Sequence, residues 1–155
     1  MTNPAERPAT LLPPPLVYAT GLAAGWWIDR HFPFGFGGGS LLHDLGWGLV
    51  SLGVLLTLWA ALTIWRHHTT VHPYKPVSTL VSTGPYAFSR NPIYVGDWLV
   101  YAGVTLLLKT YWTLALAPVV WWVMRYHVIA HEEAHLLARF GQAYRDYTSR
   151  VRRWI

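Results

Sequence analysis

The sequence of 155 residues contains no cysteine and unusually few charged residues. Without cysteine, the chain has no disulfide, no thiolate nucleophile and no cysteine metal ligand. Charged residues make up 12% of the chain and hydrophobic residues 53%, whereas soluble domains carry roughly 25% charged residues. We therefore expect an integral membrane protein. Its 10 tryptophans and 9 tyrosines suit the two membrane–water interfaces.

Four apolar stretches are predicted to be transmembrane helices. They cover residues 11–28, 45–65, 93–108 and 110–124. A helix needs about 20 residues to cross a hydrocarbon core of roughly 30 Å, and the third stretch is shorter and interrupted by Asp97. Only Lys109 separates the last two stretches, so they are predicted to form a tight antiparallel hairpin. The predicted fold class is all-α, a polytopic membrane protein of about four transmembrane helices.

Basic residues are distributed unevenly between the two sides of these spans. With the N-terminus inside, only Arg30 and Lys109 lie on the outer side. The inner side receives Arg7, Arg66, Lys75, Arg90, Arg139, Arg145, Arg150, Arg152 and Arg153. Because cytoplasmic loops carry an excess of Lys and Arg, both termini are predicted to be cytoplasmic, with the chain in the cytoplasmic (inner) membrane. The same bias explains the net charge of +5 without a nucleic-acid partner and leaves membrane lipids as the expected surroundings.

The segment between the second and third spans is unusually rich in proline, glycine and aromatic residues. It contains Thr83-Gly84-Pro85-Tyr86, which is a turn signal, and Asn91-Pro92, in which proline suits the first turn of a helix. Irregular backbone at membrane depth is tolerated only where it packs on protein or lines a cavity. We therefore predict a re-entrant loop that folds back against the helices and forms the wall of a pocket.

The C-terminal segment has the pattern of an amphipathic helix. From Glu132 to Val151, apolar and aromatic residues recur at three- and four-residue steps, while the arginines fall on other faces. The helix is predicted to continue from the fourth span, to lie in the cytoplasm and to break near Gly141. A surface anchor on acidic lipid would have this pattern too, but it would not explain the acidic pair Glu132-Glu133.

Two motifs together resemble the isoprenylcysteine carboxyl methyltransferase and phospholipid methyltransferase family. The first comprises Leu80, Val81, Gly84, Pro85, Tyr86, Arg90, Asn91, Pro92, Ile93, Tyr94 and Gly96. The second comprises Glu132, Glu133, Leu136, Phe140, Gly141, Tyr144, Tyr147 and Val151. The resemblance implies a membrane methyltransferase that uses S-adenosylmethionine and a lipophilic small-molecule or prenylated acceptor at the cytoplasmic face. It divides the single domain 1–155 into accessory spans, 1–65, and a catalytic part, 66–155.

The resemblance and the chemistry of S-adenosylmethionine select the candidate site residues. The cofactor ammonium suits Glu132 or Glu133, and its carboxylate suits Arg90 or Arg125. Its sulfonium suits the ring of a tyrosine through cation–π attraction. The predicted cofactor-binding residues are Leu80, Val81, Gly84, Tyr86, Arg90, Asn91, Pro92, Tyr94, Glu132 and Glu133. Catalytic roles are predicted for Arg125 and Glu132, and no metal ligand is predicted.

Three positions depart from the animal members of that family. Asn91 and Ser78 stand where those enzymes have histidine. Val128 stands where they have a substrate-contacting arginine, and Arg125 is the nearest basic residue. These departures leave the cofactor assignment standing, and they leave the identity of the acceptor open.

Other functions compete with this interpretation. The run His131-Glu132-Glu133-Ala134-His135 matches the His-Glu-x-x-His pattern of zinc proteases, although no histidine follows it as a third ligand. A nicotinamide-dependent membrane reductase of sterol-reductase-like architecture would need cationic groups for a 2′-phosphate, where this chain has an acidic pair. A non-enzymatic membrane partner protein would have no reason to build the loop of residues 80–96.

Asp97 places a carboxylate inside a predicted span. Ionisable residues are rare in transmembrane helices and usually have a function, so Asp97 is a candidate functional residue. It shares a helix face with Tyr94 and Tyr101, which lie three residues before it and four after it. Two roles are open at this point. Asp97 either positions the cofactor or substrate, or forms a hydrogen bond with Tyr101 that locks the helices together.

Overall fold

The structure is a computed structural model that describes residues 13–67 and 80–155. Within these ranges every regular element is helical: α1 Pro14–His31, α2 Ser40–Arg66, α3 Pro92–Leu108, α4 Tyr111–Val123, α5 Ala130–Phe140 and α6 Gln142–Arg150. A short 3-10 turn, Gly84–Ala87, precedes α3, and a π-helical turn, Met124–Ile129, joins α4 to α5. The all-α prediction is confirmed for this part of the chain. The start of the first predicted span, residues 11–12, and residues 68–79 of the predicted loop lie outside the described residues.

Two helical stretches are long and apolar enough to cross a membrane. They are α2, with 27 residues, and the continuous stretch Tyr111–Phe140, with 30 residues. Only 17% of the apolar window of α2 is buried inside the bundle. Its outward side chains include Leu55, which is 64% exposed, and Trp65, which is 73% exposed. Because a soluble protein buries the apolar face of such a helix, this surface belongs in lipid, and the chain is a membrane protein.

The helices differ in extent from the predicted spans. α2 begins at Ser40, five residues before the predicted start at position 45. α4 continues through the π-helical turn into α5, so the fourth predicted span and the start of the predicted C-terminal helix form one continuous stretch. The predicted break is confirmed at Gly141, which has a φ of 51°. α3 is a shorter apolar helix of 17 residues, and the count of four membrane crossings stays a prediction.

α3 packs along α2 through two pairs of facing glycines. Gly53 faces Gly96, and Gly46 faces Gly103. A Cβ atom added at Gly53 would lie 2.5 Å from the carbonyl oxygen of Gly96. Only glycine therefore allows the two backbones to approach this closely, which is a common way for helices to associate in a membrane.

The predicted hairpin between the last two spans forms only at its turn. Lys109 ends α3 with a φ of 54°, and the Thr110 hydroxyl caps α4 by accepting a hydrogen bond from the Trp112 amide at 3.2 Å. Beyond the turn, α3 packs mainly on α2, and α4 packs mainly on α1. The expectation that α3 and α4 pack along each other was wrong, because the glycines that face α3 lie on α2.

The connections between helices are sorted to two ends of the bundle. Residues 32–39, between α1 and α2, lie against the α3–α4 turn. There the Phe36 amide donates to the Lys109 carbonyl at 3.0 Å, and Lys109 Nζ donates to the Gly38 carbonyl at 3.0 Å. The opposite end holds the 3-10 turn, the start of α3, α6 and the C-terminal residues. Residues of both sequence motifs meet at that end.

Candidate functional site

A tyrosine of the first motif meets a glutamate of the second inside the bundle. The Tyr94 hydroxyl, on the first turn of α3, donates a hydrogen bond to Glu132 Oε1 at 2.6 Å. Tyr94 is 8% exposed. Among the described residues, Glu132 takes part in no ion pair. Glu132 is partly buried, and a carboxylate withdrawn from water without a cation is unfavourable, so this position suits a bound cationic group.

The adjacent carboxylate, Glu133, is already neutralised by two arginines. Arg153 donates from Nε to Glu133 Oε1 at 2.9 Å and from Nη2 to Glu133 Oε2. Arg90 Nη1 lies 3.3 Å from Glu133 Oε1. The hydrogen bond to Glu133 raises the pKa of Arg153 above its usual range, since it favours the charged guanidinium. Of the acidic pair, Glu133 therefore forms ion pairs within the protein, whereas Glu132 has no cationic partner among the described residues.

The C-terminal part of the chain clamps the loop that precedes α3. The Asn91 amide group donates from Nδ2 to the Arg153 carbonyl at 2.9 Å, and the Tyr147 hydroxyl donates to the Tyr86 carbonyl at 2.7 Å. Burial raises the pKa of the Tyr147 hydroxyl above its usual range. Two predicted cofactor residues, Tyr86 and Asn91, thus also position the loop.

The other predicted cofactor residues lie along the same loop. Val81 is 8% exposed, and Leu80 beside it is partly exposed. Gly84 has a φ of 59°, and an added Cβ would lie 3.1 Å from Thr63 Oγ1 on α2, so glycine fits both the conformation and the close approach. Pro92 is buried at the first turn of α3. The structure therefore brings the two motifs together at one end of the bundle.

The predicted catalytic residue Arg125 stacks on two exposed aromatic rings. Its guanidinium carbon lies 5.7 Å from the ring centre of Trp121 and 5.7 Å from that of Tyr126. These two residues are 42% and 50% exposed. Such stacking suits a side chain at a membrane interface. The described contacts do not bring Arg125 to the Tyr94–Glu132 pair, and its catalytic role stays a prediction.

The His-Glu-x-x-His segment lacks the surroundings of a zinc site. The described part of the chain contains no group of three or more His, Cys, Asp or Glu side chains placed to hold a metal ion. Its two glutamates are engaged elsewhere, one with a tyrosine and the other with two arginines. His131 is exposed. In the described part of the chain, both glutamates of the pattern therefore have hydrogen-bond or ion-pair partners of their own.

Of the two roles left open for Asp97, the hydrogen bond with Tyr101 does not form. The Tyr101 hydroxyl instead donates to the carbonyl oxygen of Thr113 at 2.7 Å. Asp97 Oδ2 is buried and has no hydrogen-bond partner among the described residues. Next to it, the ring of Tyr18 from α1 lies 5.3 Å from that of Trp98, centre to centre.

Sequence reasoning did not single out Tyr18 or the pairing of Arg153. Tyr18 is one aromatic residue in an apolar helix that lies far from both motifs along the chain. Arg153 is one of several C-terminal arginines. The sequence does contain one signal for the pairing of Arg153. Two adjacent glutamates, Glu132 and Glu133, are expected to attract basic side chains.

Comparisons with known proteins identify the family. Residues 41–143 match the family model described as phospholipid methyltransferase. A protein-S-isoprenylcysteine O-methyltransferase of Schizosaccharomyces pombe is 36% identical over 72 residues, which cover 46% of this chain and 30% of that protein. Protein-S-isoprenylcysteine O-methyltransferase B of Arabidopsis thaliana is 28% identical over 139 residues, 88% of this chain and 63% of that protein. A nickel-cobalt-cadmium resistance protein of Alcaligenes xylosoxydans xylosoxydans is 30% identical over 102 residues, 66% of this chain and 44% of that protein.

The family match covers most of the described site. This chain spans between 30% and 63% of the length of the relatives just named. The matched residues 41–143 run from α2 into α6 and include both members of the Tyr94–Glu132 pair. Because the match extends over about two thirds of the sequence, the resemblance carried by the two motifs is confirmed. The chain belongs to the phospholipid methyltransferase family.

Proposed function

We propose that this protein transfers a methyl group from S-adenosylmethionine to a lipophilic acceptor at the cytoplasmic face of a membrane. One observation carries the proposal: Glu132 is a partly buried carboxylate that accepts a hydrogen bond from Tyr94 and has no ion-pair partner among the described residues. Membership of the phospholipid methyltransferase family and similarity to two methyltransferases support the class of reaction.

The groups around Glu132 fit the amino-acid end of S-adenosylmethionine. Glu132 offers a carboxylate for the ammonium group. Arg90 Nε is buried without a partner in the described part of the chain, and it offers a donor for the carboxylate. Arg90 contacts Glu133, the residue that follows Glu132, and the proposal is that Arg90 and Glu132 bind the two charged groups of one zwitterionic ligand.

The loop before α3 would form the rest of the cofactor site. The proposed lining residues are Leu80, Val81, Gly84, Tyr86, Asn91, Pro92 and Tyr94. When bound, S-adenosylmethionine supplies a methyl group made electrophilic by the sulfonium. Methyl transfer needs alignment and a dry site more than a nucleophilic side chain. The task of these residues is therefore to bind, to orient and to exclude water.

We place the site at the cytoplasmic face of the inner membrane, with four spans and both termini inside. The proposal adds α1 and α3 to the two long helical stretches as membrane-crossing helices. The charge bias supports this orientation, because Arg90 and Arg153 lie at the end of the bundle that holds the site, while Lys109 lies at the other. An acceptor dissolved in the bilayer would reach the site sideways.

The described contacts favour methyl transfer over nicotinamide-dependent reduction. A reductase of this architecture would need cationic side chains for the 2′-phosphate of its cofactor. Arg153 is held by two hydrogen bonds to Glu133, and Arg90 Nε is the donor that the proposal gives to the carboxylate of S-adenosylmethionine. Glu132, in turn, would repel a phosphate.

The test compares Glu132→Gln with its neighbour Glu133→Gln in protein reconstituted into nanodiscs. Glu132→Gln keeps the shape of the side chain but removes a charge-assisted contact of about 1.5–3 kcal/mol, so S-adenosylmethionine affinity should fall roughly tenfold to a hundredfold. Its thermal midpoint should stay the same or rise, because a partly buried charge without an ion-pair partner in the described residues is removed. Titration calorimetry measures the affinity, and intrinsic fluorescence measures unfolding.

Glu133→Gln is the matched control and should show the opposite pattern. It weakens the contacts with Arg90 and Arg153, so the thermal midpoint should fall, with a smaller loss of cofactor affinity than in Glu132→Gln. Titration with NADPH tests the reductase alternative. Unchanged S-adenosylmethionine affinity in Glu132→Gln would contradict the proposed role of this residue. Tight NADPH binding with no S-adenosylmethionine binding in the parent protein would contradict the function.

A further inference from the structure

A tyrosine from α1 is buried without a hydrogen-bond partner next to the proposed cofactor site. Tyr18 is 5% exposed, and its hydroxyl oxygen has no partner among the described residues. Its ring packs edge-on against Trp98 and Tyr101, with ring centres 5.3 Å and 6.4 Å apart. A buried hydroxyl without a partner is unfavourable. The Tyr18 hydroxyl, which lies where α1 packs on α3, is therefore available to form a hydrogen bond with a ligand.

Two carboxylates lie close enough to Tyr18 for their charges to act on its hydroxyl. They belong to Asp97 of α3 and Glu132 of α5. Asp97 is half-buried, and its Oδ2 also has no hydrogen-bond partner in residues 13–67 and 80–155. Tyr101 is different, because its hydroxyl is satisfied by the Thr113 carbonyl. The Tyr101 hydroxyl therefore has a partner within the protein, whereas the Tyr18 hydroxyl and Asp97 Oδ2 have none among the described residues.

The charge of this cluster favours one class of ligand. Asp97 and Glu132 are both acidic, and neither forms an ion pair within the described residues. The guanidinium of Arg125 is stacked on exposed rings instead. In surroundings of low dielectric constant, two carboxylates repel an anion and attract a cation or a hydrogen-bond donor.

Apolar side chains pack around Tyr18 in the bundle interior and form an apolar wall beside the polar cluster. Tyr18 belongs to the same buried cluster as three side chains of the π-helical turn, Met124, Val128 and Ile129, which are at most 1% exposed. Such a wall suits a hydrocarbon chain, while the polar atoms of Tyr18 and Asp97 suit its head group. The two features together describe a site for an amphipathic molecule.

We propose that Tyr18 and Asp97 bind the head group of the methyl acceptor, and that this head group is an amine or a hydroxyl on an apolar chain and not a carboxylate. The inference rests on the proposed methyltransferase function for the identity of the ligand as acceptor. It also gives α1 a direct part in the site, although the sequence motifs place α1 among the accessory spans.

The experiment uses three probes that share a twelve-carbon chain: dodecylamine, dodecanol and dodecanoate. Each is titrated into the parent protein in phosphatidylcholine nanodiscs without cofactor, and empty nanodiscs provide the partition background. Saturable binding of the amine or the alcohol is expected, and dodecanoate should bind at least tenfold more weakly. The amine and alcohol titrations separate the two head groups that the site would accept. S-adenosylmethionine affinity is measured in parallel.

Three nearly isosteric variants identify the atoms involved. Asp97→Asn should weaken amine binding roughly tenfold to a hundredfold, and Tyr18→Phe should weaken amine or alcohol binding about twofold to tenfold. Neither variant should lower the thermal midpoint, because neither removed atom has a partner in the described structure. Tyr101→Phe is the matched control. It breaks the bond to Thr113, so it should lower the midpoint and leave probe binding unchanged.

The outcomes separate this inference from the proposed function. Equal binding of all three probes, or equal binding by the parent protein, Tyr18→Phe and Asp97→Asn, would overturn the head-group site. Loss of probe binding in these two variants, with S-adenosylmethionine affinity unchanged, would support it. If the parent protein binds the amine or alcohol but not S-adenosylmethionine, the head-group site stands and the methyltransferase proposal fails.

Discussion

Replacing Gly53 by alanine should force α2 and α3 apart and weaken the cofactor site. The added Cβ would lie 2.5 Å from the Gly96 carbonyl oxygen, whereas ordinary contact begins at 3.4 Å, so the helices must separate locally by about 3.4 − 2.5 = 0.9 Å. Overpacking of a tight contact costs about 1–3 kcal/mol. Because the added Cβ clashes with a backbone atom, the Gly96 carbonyl oxygen, no side-chain rotation relieves the clash. We therefore expect the upper part of that range, about 2–3 kcal/mol, or roughly a 30- to 150-fold loss in the folded-to-unfolded ratio.

The matched control is Gly48→Ala on the same helix. Nothing lies within 4 Å of a Cβ at Gly48, so alanine there should leave the free energy of unfolding unchanged or raise it by up to about 1 kcal/mol through its higher helix propensity. Unfolding is followed by circular dichroism during titration of the reconstituted protein with denaturing detergent. Gly53→Ala should also reduce S-adenosylmethionine affinity, because Gly96 lies two residues from Tyr94. Equal unfolding free energies for the two variants would refute the packing argument.

Further predictions concern the C-terminal clamp, alkaline pH and topology. Tyr147→Phe leaves the Tyr86 carbonyl without its donor, so the free energy of unfolding should fall by about 1–2 kcal/mol, seen in thermal melts; an unchanged midpoint would contradict the clamp. Because burial raises the pKa of Tyr147 above its ordinary value of 10.0, its contribution should be complete below pH 10 and lost as pH rises further. Urea unfolding of parent and Tyr147→Phe between about pH 9 and pH 11 should show the weaker pH dependence in the variant. Since the chain has no cysteine, Lys109→Cys and Ser149→Cys each provide a single thiol. An impermeant maleimide should label position 109 from outside intact cells and position 149 only after lysis, and the reverse result would contradict the topology.

Hydropathy and motif spacing predicted the helical class and the family, because both depend on residues close together in the sequence. The break at Gly141 was predictable for the same reason, since glycine readily adopts the φ of 51° found there. The partner of each helix was not predictable. The apolar stretches are alike in composition, and the facing glycines that join α2 to α3, Gly53 and Gly96, become a pair only when the two backbones meet.

The sequence by itself determined which residues are candidates for the site, and the tertiary structure decided which partners they contact. Glu132 and Glu133 are equivalent in the sequence, but they point to different partners, because successive residues of a helix lie about 100° apart around its axis. The π-helical turn Met124–Ile129, which has no sequence signature, adds to this by changing the rotational register of α5 relative to α4. One carboxylate therefore meets Tyr94 in the interior, and the other meets Arg153 of the C-terminal segment. Tyr18 comes close to Trp98 and Tyr101 for a related reason, since packing of α1 against α3 and α4 brings distant parts of the chain into contact.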